Sequence, residues 1–289
     1  MALYAPFGQD FQWQWSNVQN TRPVVTATNY GTAVTVNAST TTYGAWAQLA
    51  SSTNVAYDVY GILICINNVG SSNSIRNALY NIGVDNAGGT AYDIKIPQLI
   101  GGSASPYYLG SGGLWYYFPL YIPAGSSIAA QAKGTVAATN TGVAIWLFGL
   151  PRRPEAVRAG SWVDAYGIDD ANNRGTTITM GTTADGTLTS LGTVTRSGWW
   201  QQAAFTQADS SMTASAIHVD IAVGASTARN KILIENQLYV VTAAEQISSN
   251  PNFMGSYNNA AASEILYGRA QSGAASDTLP GIACYMLGG

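Results

Sequence analysis

One β-rich unit is written twice in this chain, the second copy beginning about 155 residues after the first. Gly31 to Ala50 (GTAVTVNASTTTYGAWAQLA) lies over Gly186 to Phe205 (GTLTSLGTVTRSGWWQQAAF) with one residue of the first copy unmatched, which sets Gly44 over Gly198, Trp46 over Trp200 and Gln48 over Gln202. A second match closes each unit: Gln131 to Gly149 (QAKGTVAATNTGVAIWLFG) lies over Arg269 to Gly288 (RAQSGAASDTLPGIACYMLG), with one residue inserted. A chain of 289 residues has room for two domains of roughly the commonest size. The expected organisation is an N-terminal arm (1–22), a first unit (23–150), a linker (151–160) and a second unit (161–289).

Strand signals dominate both units, as β-branched and aromatic residues in short runs bounded by Gly, Asn, Ser and Pro. Val59 to Ile66 (VYGILICI) is almost continuously apolar, as a strand covered on both faces should be. In the second unit Ile217, Val219, Ile221 and Val223 alternate with His218, Asp220 and Ala222, which gives one core face and one wet or partner-facing side. Further strands are expected at 93–99, 116–122, 143–148, 232–241 and 282–287. About eight short strands per unit predict an all-β protein of two tandem jelly-roll-like β-sandwich domains related by duplication. At the junction, Leu150 to Gly160 (LPRRPEAVRAG) reads as a stiff linker, because Pro151 and Pro154 cannot continue a sheet.

Composition narrows the function. Hydrophobic residues make up 47% of the chain and charged residues only 9%, so the surface is covered mainly by neutral polar side chains. A net charge of −3, with 12 scattered basic residues, argues against nucleic acid as a partner. No apolar run is long enough to span a membrane as a helix, and the first residues do not read as a secretion signal. The single histidine, His218, excludes a His-rich metal site. His218 and Asp220 share one strand face, but no nucleophile is tied to them by a motif. The loop Gly167 to Gly175 (GIDDANNRG) has some calcium-loop residues, yet Arg174 stands where a third oxygen ligand belongs and no closing glutamate follows. No cofactor, metal or catalytic set is expected. Cys65 and Cys284 read as buried free thiols.

Three groups of residues stand out as binding candidates. The arm carries Tyr4, Phe7, Phe11, Trp13 and Trp15, a dense aromatic set suited to docking on a neighbouring subunit. The linker concentrates Arg152, Arg153 and Arg158. Tyr107, Tyr108 and Trp115 lie in or beside a Gly/Ser-rich stretch, as a stacking platform for sugar or protein would, although Trp115 can equally begin the next strand.

The series GAWAQL (44–49), LYNIGVDNAGG (79–89), IPQLIGG (96–102), FPLYIPAGSSIAAQAKG (118–134) and VAIWLFG (143–149) resembles a pattern found in structural proteins of tailed bacteriophages. Its most specific part is Pro119 to Gly125, a strand running into a turn where Pro123 fixes φ and Gly125 permits a positive φ. The resemblance covers most of the first unit and the ends of the second. It implies a non-enzymatic virion component made in the host cytoplasm. The first expectation is a head decoration (cement) protein that binds the major capsid protein as a homo-oligomer, dimer or trimer. The alternative is a tail-associated protein that binds a receptor or a host-surface glycan.

Overall fold

The computed structural model describes residues 12–17, 31–68, 77–101, 114–135, 138–149, 158–205, 215–243, 246–248, 255–273 and 278–289. They are nearly all strand, interrupted among the described residues by one 3-10 turn at Ser52–Asn54. The first half supplies β1 (Gln12–Ser16), β2 (Thr32–Ala38), β3 (Ala47–Ala50), β4 (Val59–Asn68), β5 (Ala78–Asp85), β6 (Asp93–Gly101), β7 (Leu114–Phe118), β8 (Ser127–Gly134) and β9 (Ala138–Gly149). These form one nine-stranded sheet in the order β6-β5-β8-β2-β9-β4-β7, with β1 on β9 and β3 on β8. The second half supplies β10 (Trp162–Tyr166), β11 (Ile168–Asp169), β12 (Arg174–Thr179), β13 (Thr189–Thr193), β14 (Trp200–Phe205), β15 (Ser215–Ser226), β16 (Arg229–Ala243), β17 (Gln246–Ser248), β18 (Gly255–Ser256), β19 (Ile265–Ser272) and β20 (Thr278–Gly288). Here β11-β12-β20-β14-β18, with β10 on β20, make a six-stranded sheet, and β13-β19-β15-β16-β17 make a five-stranded one.

The local chemistry explains these elements. Val59–Asn68 is flanked by β9 and β7, and its described side chains are buried on both faces, as its unbroken apolar run predicts. In β15, Ile217, Val219, Ile221 and Val223 all point into the core. Gly125 takes φ +78 at the end of the Pro119–Gly125 segment, and β8 starts two residues later. Where β1 and β2 lie end to end along β9, Asn17 fills the break. Its Oδ1 accepts from Ile145 N–H at 2.8 Å and its Nδ2 donates to Val143 C=O at 2.9 Å.

Part of the expected arm is therefore not an arm. Residues 12–16 are a strand on the chain's own β9, and Trp15 is half-buried against the core. The physical reason is that β9 offers a free ladder edge beside apolar side chains, which an aromatic strand fills without an intermolecular partner. Tyr4, Phe7 and Phe11 lie outside the described residues.

The halves are welded together by β20. Ile282, Cys284 and Met286 point into a core between the six- and five-stranded sheets, whereas Ala283, Tyr285 and Leu287 belong to the larger core of the first half. Trp199, Trp200 and Ala204 join that larger core too. Each large apolar side chain buried in this way contributes roughly 1.5–3 kcal/mol.

Strands equated by the sequence match are paired differently in the two halves. β2 pairs with β9 and β8 and β3 pairs with β8, but β13 pairs with β19 and β14 with β20. Burial differs accordingly. Gln48 is exposed, whereas Gln202 is wholly buried against the first half.

Candidate functional site

The site grows out of a seam. The edge strands β6 and β7 of the nine-stranded sheet are linked by a side chain, the Tyr116 hydroxyl of β7 donating to the Ile100 carbonyl of β6. Two neighbours from the second half cap the remaining edge groups. Gln202 and Tyr285 stand directly opposite each other in the β14–β20 ladder. Gln202 Oε1 accepts from Tyr117 N–H at 3.0 Å while its Nε2 donates to Trp115 C=O at 3.2 Å. At the other edge the Tyr285 hydroxyl accepts from Ile100 N–H at 2.7 Å and donates to Gln98 C=O at 2.9 Å. In both cases one side chain bridges the carbonyl of residue i and the amide of i+2, so it stands in for a peptide group of a neighbouring strand. Unpaired edges are an aggregation hazard, and these are closed by side chains rather than by another strand.

A belt of aromatic rings runs along the outer side of this seam. Alternation on β7 sends Tyr116 and Phe118 into the core and Trp115 and Tyr117 outward. Trp115 stacks on Trp146 with centroids 5.1 Å apart, and Tyr117 meets Phe148 edge-on at 6.1 Å. The belt then crosses to the second half. Tyr117 contacts Trp200 at 6.0 Å, Trp200 contacts Tyr257 at 4.6 Å, and Tyr257 lies nearly parallel to Trp199 at 5.9 Å. The Arg158 guanidinium ends it, 4.2 Å over the Trp199 ring. A Cβ on Gly255 would fall 1.8 Å from Trp200, so only glycine lets β18 lie against that ring. Burial raises the Tyr257 hydroxyl above its ordinary value, and the nearby Arg158 charge partly offsets this. Within the belt, the indole Nε1 atoms of Trp199 and Trp200 are buried with no hydrogen-bond partner among the described residues.

On the other side of the seam a polar lock joins the halves. Lys133 of β8 is buried, and its ammonium reaches Asp170 Oδ1 at 2.8 Å and the Thr40 carbonyl at 2.6 Å. Gln98, held at φ +51, donates from Nε2 to the same Asp170 oxygen. Burial and the Asp170 charge push the Tyr43 hydroxyl up to about 12. The acidic loop 167–175 thus acts as a docking hook: Asp170 pairs with Lys133, and Asp169 with Arg174. Among the described residues no cluster of His, Cys, Asp and Glu could hold a metal ion. His218 and Asp220 do not work together either. Asp220 accepts from Arg269 and from the Asn236 amide, while His218 is exposed.

Of the residues singled out from sequence, the structure brings Trp115 and Arg158 into one belt. Trp115 is both strand and surface, half-buried at the end of the belt opposite Arg158. Trp13 belongs to β1, while Tyr107, Tyr108, Arg152 and Arg153 lie outside the described residues. Sequence reasoning missed Trp146, Phe148, Trp199 and Tyr257 as belt members, and missed Gln202 and Tyr285 as edge caps. The signal available was Gln201–Gln202, two amides inside an apolar strand that need buried partners.

No family model matches the chain, and no curated protein matches it. Among solved structures, two crystal forms of PNGF-II are similar at 8% and 9% identity, with TM-scores of 0.33 and 0.37. Each covers 89% of this chain, which in turn spans 65% and 64% of the length of those proteins. A protein of Parabacteroides distasonis is similar at 8% identity over 90% of this chain and 88% of that one, with a TM-score of 0.23.

Proposed function

We propose that this chain is a non-enzymatic component of a tailed-phage particle, a decoration protein that binds the outer face of the shell and ties neighbouring capsomers together. The sequence series centred on Pro119–Gly125 supports the phage assignment. The observation that carries the decoration reading is the two-faced β20, whose side chains serve both cores and so tie the two halves into one stiff body. A rigid body holds two contact surfaces at fixed separation, so the second contact follows the first as an intramolecular event. A surface nearly free of charge suits crowding on a lattice. The test is the copy number of this protein relative to the major capsid protein in purified particles. A ratio comparable to the shell protein supports decoration, a few copies per particle moves it to the tail, and absence from particles ends the reading.

The aromatic belt favours one second reading, a tail-associated protein that binds a receptor or glycan. Exposed and half-exposed rings beside a cation are the chemistry such recognition uses. Low copy number together with adsorption to host-surface extracts would select it.

A further inference from the structure

One scheme of strand pairing runs through both halves, along an equivalence that the sequence match does not show. In the first half β9 pairs with β1, β2 and β4, β4 pairs with β7, β8 pairs with β2, β3 and β5, and β5 pairs with β6. In the second, β20 pairs with β10, β12 and β14, β14 with β18, β19 with β13 and β15, and β15 with β16. The parallel contact of β2 with β8 returns as a parallel bridge from Gly181, just after β12, to Gln271 of β19. Local detail repeats too. Asn81 stands opposite Gln131, and its Oδ1 accepts from the amide of Gln98, which has φ +51. Asp220 stands opposite Arg269, and its Oδ1 accepts from the amide of Asn236, which also has φ +51.

This equivalence separates surfaces that the chain has used from matching ones left open. Counting from Gly149 and Gly288 at the ends of β9 and β20, Tyr285 and Leu287 match Trp146 and Phe148. Counting from Gln98 and Asn236, Ile100 matches Leu238, and the residues opposite these, Leu79 and His218, match as well. Within the chain β20 seats on the first half. Tyr285 and Leu287 are wholly buried, Tyr285 holds the Ile100 amide, and Ile100 and Leu79 are 0% exposed. The counterparts are not sealed in this way: Leu238 is 44% exposed, His218 is exposed, and Trp146 and Phe148 are only half-buried.

We infer that the open face of the second half, around Leu238 and His218, binds the open face of the first half, around Trp146 and Phe148, in a second copy of this chain. Such a contact continues between chains the arrangement that joins the halves within one. It brings together two different faces, so copies add head to tail and either close into a ring or extend. It is also the weaker of the two contacts. The Tyr285 hydroxyl serves both Ile100 N–H and Gln98 C=O, whereas the indole of Trp146 can only donate and leaves the matching Leu238 amide without an acceptor from it. Association is therefore concentration dependent, and it is read on the isolated protein without reference to particles.

The experiment is sedimentation velocity of the full chain across the micromolar range. The expected result is a sedimentation coefficient that rises with concentration. Leu238→Arg places an unpaired charge in the contact and should weaken association by about tenfold or more, while melting with the parent because the position is exposed. Leu238→Met should retain association. Trp146→Glu should weaken association from the opposite face, and Phe148→Glu takes its place if thermal melts show that the first variant fails to fold. Mixing the Leu238 and Trp146 variants is the decisive step. Each keeps the face that the other has lost, so the mixture should form dimers and nothing larger, while either variant alone stays monomeric. A parent that is monomeric at every concentration overturns the inference, as does a folded Leu238→Arg protein that associates like the parent. Folded variants that recover no dimer on mixing would also overturn it, since a head-to-tail contact requires that recovery.

Discussion

Removing one oxygen atom at the seam should be expensive. Tyr285→Phe keeps the ring, which packs edge-on against Tyr116 and Phe118 at 5.6 and 6.1 Å, and deletes only the hydroxyl that serves Ile100 N–H and Gln98 C=O. Ile100 is fully buried, so its amide gains no water in exchange. A buried donor left unpaired costs roughly 1–3 kcal/mol, and the Gln98 carbonyl, nearer solvent, adds less. The expected loss is about 3 kcal/mol, read as a lower urea midpoint with unchanged slope. Gln202→Leu strips the opposite edge of a similar pair of bonds and should cost about as much. The double variant should cost less than the sum by at least about 0.5 kcal/mol, because once one edge opens to water the other group is no longer sealed. Should Tyr285→Phe unfold within 0.5 kcal/mol of the parent, the view that side chains close this sheet in place of a strand is wrong.

The polar lock should be asymmetric. The side chain of Lys133 is 2% exposed and that of Asp170 56%, so Asp170→Ala strands a buried ammonium and is expected to cost about 3 kcal/mol, while Lys133→Met leaves a solvated carboxylate and should cost about 1 kcal/mol; chemical denaturation that ranks them the other way would refute the burial argument. Alkali should destabilise the fold. Burial holds the Cys284 thiol up to about 12 from an ordinary 9.0, and the Tyr43 and Tyr80 hydroxyls up to about 12 from 10.0. Their contribution is complete below pH 9 and is lost as pH rises toward 12, because the unfolded chain releases protons that the folded chain keeps. Between pH 8 and pH 11 Cys284→Ala should therefore lose less stability than the parent, by up to about 3 kcal/mol at 1.36 kcal/mol per unit, and equal losses would count against it. Trp15→Ala should lower the melting temperature, since Trp15 packs on the core; an unchanged melt with weakened particle binding would return this residue to the arm.

What could be read from the sequence follows from how local each cause is. An unbroken apolar run such as Val59–Ile66 suits a strand covered on both sides, and the Ile217–Val223 alternation marks the core face of β15, but the other face is not the wet side expected, since Asp220 and Ala222 are buried there and only His218 of the three is exposed. Pro123 and Gly125 likewise declared their turn through backbone constraints that no neighbour can change. Pairing was not legible. Residues 31–50 and 186–205 look alike, yet Gln48 stays at the surface and Gln202 is buried, because the second copy faces the first half and the first copy faces solvent. Likeness between two strands records their side chains and not the partner that each meets. The belt was half visible for the same reason. Trp115 and Arg158 were conspicuous in composition, but Tyr257 and Trp199 join them only because β18 and β14 are adjacent in the sheet.

The position of β20 decides whether the two halves can act separately. Its side chains alternate between two cores, so pulling the second half away exposes Tyr285 and Leu287 on one side, and uncovers the β6 and β7 edges on the other. The larger core would lose Trp199, Trp200, Ala204, Ala283, Tyr285 and Leu287 together, while Ile282, Cys284 and Met286 on the opposite face of the same strand stay in the second core. The halves should then melt together, with a calorimetric enthalpy equal to the van't Hoff value for the whole chain. Two resolved transitions would mean that the junction is an ordinary interdomain contact and that the stiffness on which the decoration reading rests does not exist. A single transition makes the linker at 151–160 incidental to rigidity, and shifts the structural role from its prolines to the faces of one strand.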